Sequence, residues 1–325
     1  MLMQDQNIEA ASETNASCFK FGIRLIRDDV EHFRANDAIE FSSGIVRAKL
    51  QYEALPYWVR AFAPKLPWRK PSDSELDLLL GSIDAAEPGK WIQVIKIPEK
   101  ITSLFESARI ASREPTDQKL REYTASAACR EAIQQTVEFA SSLAWPEHPK
   151  VDRGGVFFKA PGLPTTTPRN YPELLGLHID TAYKDVPFEG RNYAPGRISI
   201  NLGLDDRFLL FVSASLDEIR ELLAERKIQY PEEPSFVTHE FRSAFMSNFP
   251  DFPVVKVRIR PGEAYIAPTE NLIHDGCTLG QTHFDVQFSA CGHFQPQCSS
   301  TDSGALAFLS MKLRKDERAS PLQKR

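Results

Sequence analysis

In the stretch LLGLHIDTAY, residues 174–183, a histidine and a carboxylate stand two positions apart behind an apolar run. Along an extended chain, residues i and i+2 project to the same side. His178 and Asp180 therefore offer an imidazole nitrogen and a carboxylate oxygen next to one another, a pair that a third donor would turn into a metal site. His274, in PTENLIHDGCT, stands 94 residues after Asp180 and follows the strand-like run RPGEAYIAP. His283 and His293 compete for the same role from the last strand region, whereas His32, His148 and His239 lie outside the strand set. Glu270 and Asp275 flank His274, either as acceptors for an imidazole N–H or as solvated loop acids.

The elements that must position these groups fall into two textures. After residues 1–16, a polar lead-in without pattern, a mainly helical portion is expected over 17–149. SDSELDLLLGSI reads as a helix capped by Ser72 or Ser74, with acidic residues in its first turn where the helix dipole favours them. KWIQVIKIP, residues 90–98, alternates like a strand. EKITSLFESARIAS and the segment after Pro115 repeat apolar residues at helical spacing. From about residue 150 to 297, short β-rich runs punctuated by Gly and Pro replace the helices: GVFFKAPG, LLGLHIDTAY, GRISINLGL, RFLLFVSA, PVVKVRIRPGEAYIAP, NLIHDGC and HFDVQFSACGHF. This texture predicts a sheet sandwich or barrel. SLDEIRELLAERK and HEFRSAFMSNF interrupt it as a helical insertion at about 214–250, and the charged tail over 298–325 is expected to be disordered.

Composition narrows the partners. The chain has 325 residues, 42% hydrophobic and 26% charged, enough to bury a large core. Its net charge is -5 and its basic residues are scattered, so it lacks the concentrated positive face that nucleic acid requires. No run approaches the apolar length of a membrane span, and the N-terminus lacks the basic start and apolar core of a signal peptide. A cytoplasmic protein is expected. Cys18, Cys129, Cys277, Cys291 and Cys298 are odd in number and lack C-x-x-C spacing, which reads as reduced thiols.

An H-x-D on an early strand, a Pro-Gly turn between two late strands and a histidine shortly after that turn together resemble the iron(II)- and 2-oxoglutarate-dependent dioxygenases. The resemblance covers roughly residues 150–295. It implies an α+β fold with a double-stranded β-helix (jelly-roll, cupin-like) core, a helical N-terminal portion packed against it, and His178, Asp180 and His274 as a facial triad for Fe(II). Three ligands on one face leave room for a chelating oxo-acid and dioxygen, and two neutral imidazoles with one carboxylate keep the site cationic toward an anionic co-substrate. Hydroxylation of a small molecule, or its desaturation or cyclisation, is the implied reaction.

The chain departs from the family in one place. Most members hold the far carboxylate of 2-oxoglutarate with an Arg or Lys on the last strand, but LGQTHFDVQFSACGHF has neither and offers only Gln287, Ser289 and His293. Some relatives take the base from the strand after the H-x-D. Here that strand begins with Arg197, 17 residues after Asp180, and Ser199 and Asn201 share its face. Arg191 and Arg207 sit in apparent turn or strand-start positions, while Arg258 and Arg260 alternate with apolar residues. If Arg197 points inward, 2-oxoglutarate is the expected co-substrate. If it points outward, an iron oxygenase independent of 2-oxoglutarate is the alternative, and a non-catalytic jelly-roll binding protein is a third reading. Tyr183, Phe188 and Tyr193 could close over an apolar substrate or simply pack beneath a loop.

Overall fold

The computed structural model describes residues 22–26, 38–106, 117–230 and 239–297. The expected lead-in and tail, His32, Cys18 and Cys298 lie outside these residues. In chain order the first part comprises β1 (Arg24–Ile26), β2 (Ile39–Ser42), β3 (Ile45–Arg47), α1 (Ala48–Gln51), β4 (Phe62–Pro64), β5 (Trp68–Arg69), α2 (Asp73–Leu79), β6 (Leu80–Gly81), β7 (Trp91–Lys96), α3 (Glu99–Glu106), α4 (Asp117–Thr124) and α5 (Ala127–Ser142). The second part comprises β8 (Val151–Lys159), β9 (Pro168–Asn170), β10 (Glu173–Leu174), β11 (Gly196–Asn201), β12 (Arg207–Ser215), α6 (Leu216–Glu225), α7 (His239–Asn248), β13 (Val254–Ile259), β14 (Glu263–Ala267), β15 (Leu272–Cys277) and β16 (Asp285–Gly292). None of the described helices is long and apolar enough to cross a membrane.

Two sheets carry the fold. One has seven strands in the order β6-β1-β7-β14-β11-β16-β8, the other five in the order β15-β12-β13-β2-β5. They face one another: Leu25, Ile92, Val94 and Tyr265 of the first share a buried cluster with Ile39, Phe41, Leu209, Phe211 and Val255 of the second. Strand alternation sends the other set of residues outward. Ile198, Ile200, Ile266, Phe288 and Ala290 pack beneath α3 and α5, and Leu210, Val212, Val254 and Ile273 pack beneath α6 and α7.

Local chemistry explains the helix starts. Ser72 opens α2 and Ser215 opens α6, each with a reciprocal capping box to a glutamate three residues on, Glu75 and Glu218. Ser126 caps α5 by accepting from the Cys129 N–H. The helical insertion appears as α6 and α7, between β12 and β13.

Two expectations change. Residues before 149 supply strands as well as helices: β1, β6 and β7 extend the seven-stranded sheet, and β2 and β5 extend the other, so no boundary at 149/150 divides the sheets. Most of these strands run for two to four residues, too few to display alternation; β2 pairs with β13 and β7 with β14, and β1, β5 and β6 are added beyond them. LLGLHIDTAY is not a regular strand either. Gly176 turns the chain at φ +76, where a Cβ would lie 2.4 Å from the Phe62 carbonyl oxygen. Beyond it, His178 meets His274 only in an isolated bridge, N–H to carbonyl at 3.0 and 2.7 Å in the two directions.

Candidate metal centre

That bridge sets the site. It lays the turn after Gly176 against β15 and places the rings of His178 and His274 4.6 Å apart, centroid to centroid. The Asp180 N–H donates to the Thr269 carbonyl, which carries the carboxylate back to the same point. His178 Nε2 lies 3.5 Å from Asp180 Oδ1 and His274 Nε2 lies 3.9 Å from Asp180 Oδ2. One ligand atom from each of the three residues fits within 4.8 Å of the others, the spread a single ion requires.

The donors are also aimed. His178 Nδ1 lies 3.0 Å from the Gly176 carbonyl and His274 Nδ1 3.3 Å from that of Leu272. A carbonyl only accepts, so both Nδ1 atoms carry a hydrogen and both Nε2 atoms face Asp180. This second set of contacts is what orients histidine ligands. Asp275 adds a charge behind His178: its Oδ2 stands 3.6 Å from His178 Nδ1, too far for a hydrogen bond, while Oδ1 accepts from the N–H groups of Thr166 and Thr167. The sequence left Asp275 as a neighbour of His274, yet the strand alternation turns it toward His178. Glu270 touches neither imidazole; it accepts from Ala182 N–H and pairs with buried Arg191.

Electrostatics describe a site that wants a cation. Burial works against charge on His178, but the hydrogen bond to Asp180 and the proximity of Asp275 outweigh it and push its pKa up to about 9. Burial pulls His274 down to about 4 despite Asp180. Asp180 is held well below the usual carboxylate range: burial opposes this, and the hydrogen bond with His178 and the charges of His274 and Arg197 prevail. The donor set, two oriented nitrogens and one ionised carboxylate, suits a non-haem iron site.

Beside the triad, polar side chains fill one half of the space between the sheets. Arg197 points inward. Its Nε and one terminal nitrogen hold Asp180 Oδ2 at 3.1 and 2.6 Å, and the other donates to Ser289 Oγ at 3.0 Å. Ser199 Oγ donates to Gln287 Oε1 at 3.0 Å and accepts from Arg207 at 2.6 Å. Arg207, only 2% exposed, also lies 3.3 Å from the Asp285 carboxylate. Asn201 is committed elsewhere, its amide donating to the carbonyls of Asp205 and Ile259. Arg207 and Asp285 are the residues that sequence reasoning undervalued; the one available signal was the inward parity of Arg207 with Leu209 and Phe211.

The remaining candidates disperse. His283 Nδ1 pairs with Asp205 at 3.1 Å, and His293 packs at a tilt against His148. Phe188 packs edge-on against Phe241 in the core beneath α7. Among the described residues, Cys129, Cys277 and Cys291 are buried free thiols.

No family model and no curated protein matches the chain. Among solved structures, it is similar to the Kdo hydroxylase KdoO, a non-heme Fe(II) alpha-ketoglutarate-dependent dioxygenase, in complex with alpha-ketoglutarate and Fe(III), at 13% identity and a TM-score of 0.35, covering 71% of this chain and 88% of that one. The apo structure of the same enzyme gives 12% identity over the same shares, also with a TM-score of 0.35.

Proposed function

We propose that the chain is a non-haem iron(II) oxygenase that uses 2-oxoglutarate to oxidise a small molecule, on a double-stranded β-helix core. The observation that carries the proposal is the aim of the three donors: both Nε2 atoms and the Asp180 carboxylate converge while each Nδ1 is tied to backbone. The two sheet orders, with β8-β16-β11-β14 facing β15-β12-β13, support the core assignment.

His178 Nε2, Asp180 and His274 Nε2 would hold the metal. Bound there, iron(II) would supply dioxygen activation coupled to oxidative decarboxylation of 2-oxoglutarate to succinate. The chain's own contribution is orientation and exclusion of water. Arg197 fixes the Asp180 carboxylate by two N–H groups, so the far carboxylate of the co-substrate falls to Arg207. That guanidinium is buried and backed by Ser199, and a charge-assisted fork in a dry site gives a strong grip on a carboxylate. The anchor thereby moves from Arg197, the base expected from sequence, to the next strand; Ser199, Gln287 and Ser289 provide the neighbouring polar wall. The net charge of -5 without a basic stripe supports a small-molecule substrate rather than nucleic acid.

One observation favours a second reading. Asp285 lies against Arg207 and offsets its charge, which would suit an iron oxygenase that takes its electrons from the substrate alone. Anaerobic titration of the iron(II)-loaded protein with 2-oxoglutarate separates the two by the visible charge-transfer band of the chelate. A band that is absent in His178→Ala and shifts to at least tenfold higher 2-oxoglutarate in Arg207→Met is the expected result. Iron without a band would establish the second reading, and failure to bind iron would end both.

A further inference from the structure

Behind the seven-stranded sheet, on the face away from the metal donors, lies a separate cavity of about 280 Å³. Strand alternation divides the two: Arg197 of β11 reaches Asp180, whereas Gly196 just before it opens onto the cavity together with Ile266 of β14. Its walls are aromatic: Trp91 from β7, Trp145 and His148 from the turn after α5, Tyr193 from the segment before β11, and His293 and Phe294 from the end of β16.

The cavity is built rather than incidental. Asn271 donates through one amide nitrogen to the Gly89 carbonyl at 2.9 Å and to Asn192 Oδ1 at 2.6 Å, locking two of the bordering loops together. Gly89 makes that contact possible with φ +68; a Cβ there would lie 2.5 Å from the Asn192 carbonyl oxygen. The walls are therefore formed before any ligand arrives, as in most small-molecule sites. Polar handles are few. Trp91 and Trp145 each bring one indole N–H donor to the lining. The His148 and His293 rings pack at a tilt of 37°, centroids 4.7 Å apart. Burial, then the nearby His148, keeps the His293 ring neutral, so it offers one donor and one acceptor.

We propose that this cavity binds a flat, uncharged aromatic or heteroaromatic molecule of one or two fused rings that carries a hydrogen-bond acceptor. Ring faces stack against the tryptophans and Tyr193, and the acceptor meets an indole N–H. Glu147 at the border disfavours an anion. The volume is at the small end of ligand pockets, which limits the occupant to about two rings.

Calorimetric titration of the full chain with quinoline at neutral pH tests this. A dissociation constant below about 1 mM is expected, weakened at least tenfold in Trp145→Ala and unchanged in His178→Ala. Ala194→Phe provides a second variant: Ala194 borders the cavity with ordinary extended backbone, φ -65 and ψ 153, which accepts any side chain, and a ring there takes up part of the space. It should abolish binding while leaving the circular dichroism spectrum unaltered. No binding by the folded wild type, binding that survives both cavity variants, or preference for tetramethylammonium over quinoline would overturn the proposal.

Discussion

Between the two sheets, equally dry halves are made of opposite materials. On the side of β1, β2, β7 and β13, Leu25, Phe41, Ile92, Val255 and Val257 are closed off completely or nearly so, and shape alone accounts for their order. On the side of β11, β15 and β16, Arg207, Ser199, Asp285, His178 and His274 are no more than 5% exposed, yet each depends on a named partner. Burial fraction cannot tell the halves apart; the cost of losing one member can. An aliphatic residue removed leaves a void, whereas a charged residue removed leaves its partner charged and alone.

The largest test of this contrast is Arg207→Ala, which strands the Asp285 carboxylate with 0% of its side chain exposed. A loss of about 3–5 kcal/mol in chemical denaturation is expected, with most of it recovered in the double variant Arg207→Met/Asp285→Leu. If the double variant were as unstable as the single one, the polar half would owe its order to shape as well. Leu209→Ala, next to Arg207 by parity on the same strand, should cost about 3 kcal/mol as a cavity, and no second substitution of a charged group should recover it.

The smallest test isolates acid sensitivity. His239, outside both halves, packs edge-on against Trp58. Burial, then Arg242, lowers its pKa from 6.5 to about 4. A base whose folded pKa is depressed is at full stability above pH 6.5 and loses it as pH falls toward 4. His239→Gln should therefore flatten that part of the stability profile slightly. What acid sensitivity remains in that variant belongs to the rest of the molecule, and an unchanged profile would remove His239 as a contributor.

The sequence exposes these regions unequally. The neighbourhood of His178 and Asp180 is legible from their two-residue spacing, although the segment is a turn and a single bridge rather than a strand, and His274 is legible only through the order of runs that carries the family resemblance. The helices α2 and α6 could be read as well, since their Ser-to-Glu capping pattern fits within four residues. Arg207 could not: the partner that explains its burial, Asp285, is 78 residues away, and at a strand start an arginine usually faces water. The sequence leaves Asp275 open between an imidazole acceptor and a solvated loop acid; it is buried and faces His178, a position that adjacency to His274 in sequence does not reveal. The short strands before residue 90 carry no periodicity of their own, and their identity comes from partners elsewhere in the chain, as that of β2 comes from β13.

The interleaving of those early strands has a consequence for how the chain is made. Phe41 of β2 pairs with Val255 of β13, more than two hundred residues downstream. At ordinary rates of synthesis, β2 waits roughly 10–40 s for its partner to emerge. During that interval Ile39 and Phe41 are solvent-facing strand residues without a sheet, the kind of segment that pairs with the wrong neighbour. Their brevity limits the hazard, but neither sheet can be finished on a ribosome still holding β13. Newly made chains should therefore depend on chaperones for longer than a fold nucleated by local helices would.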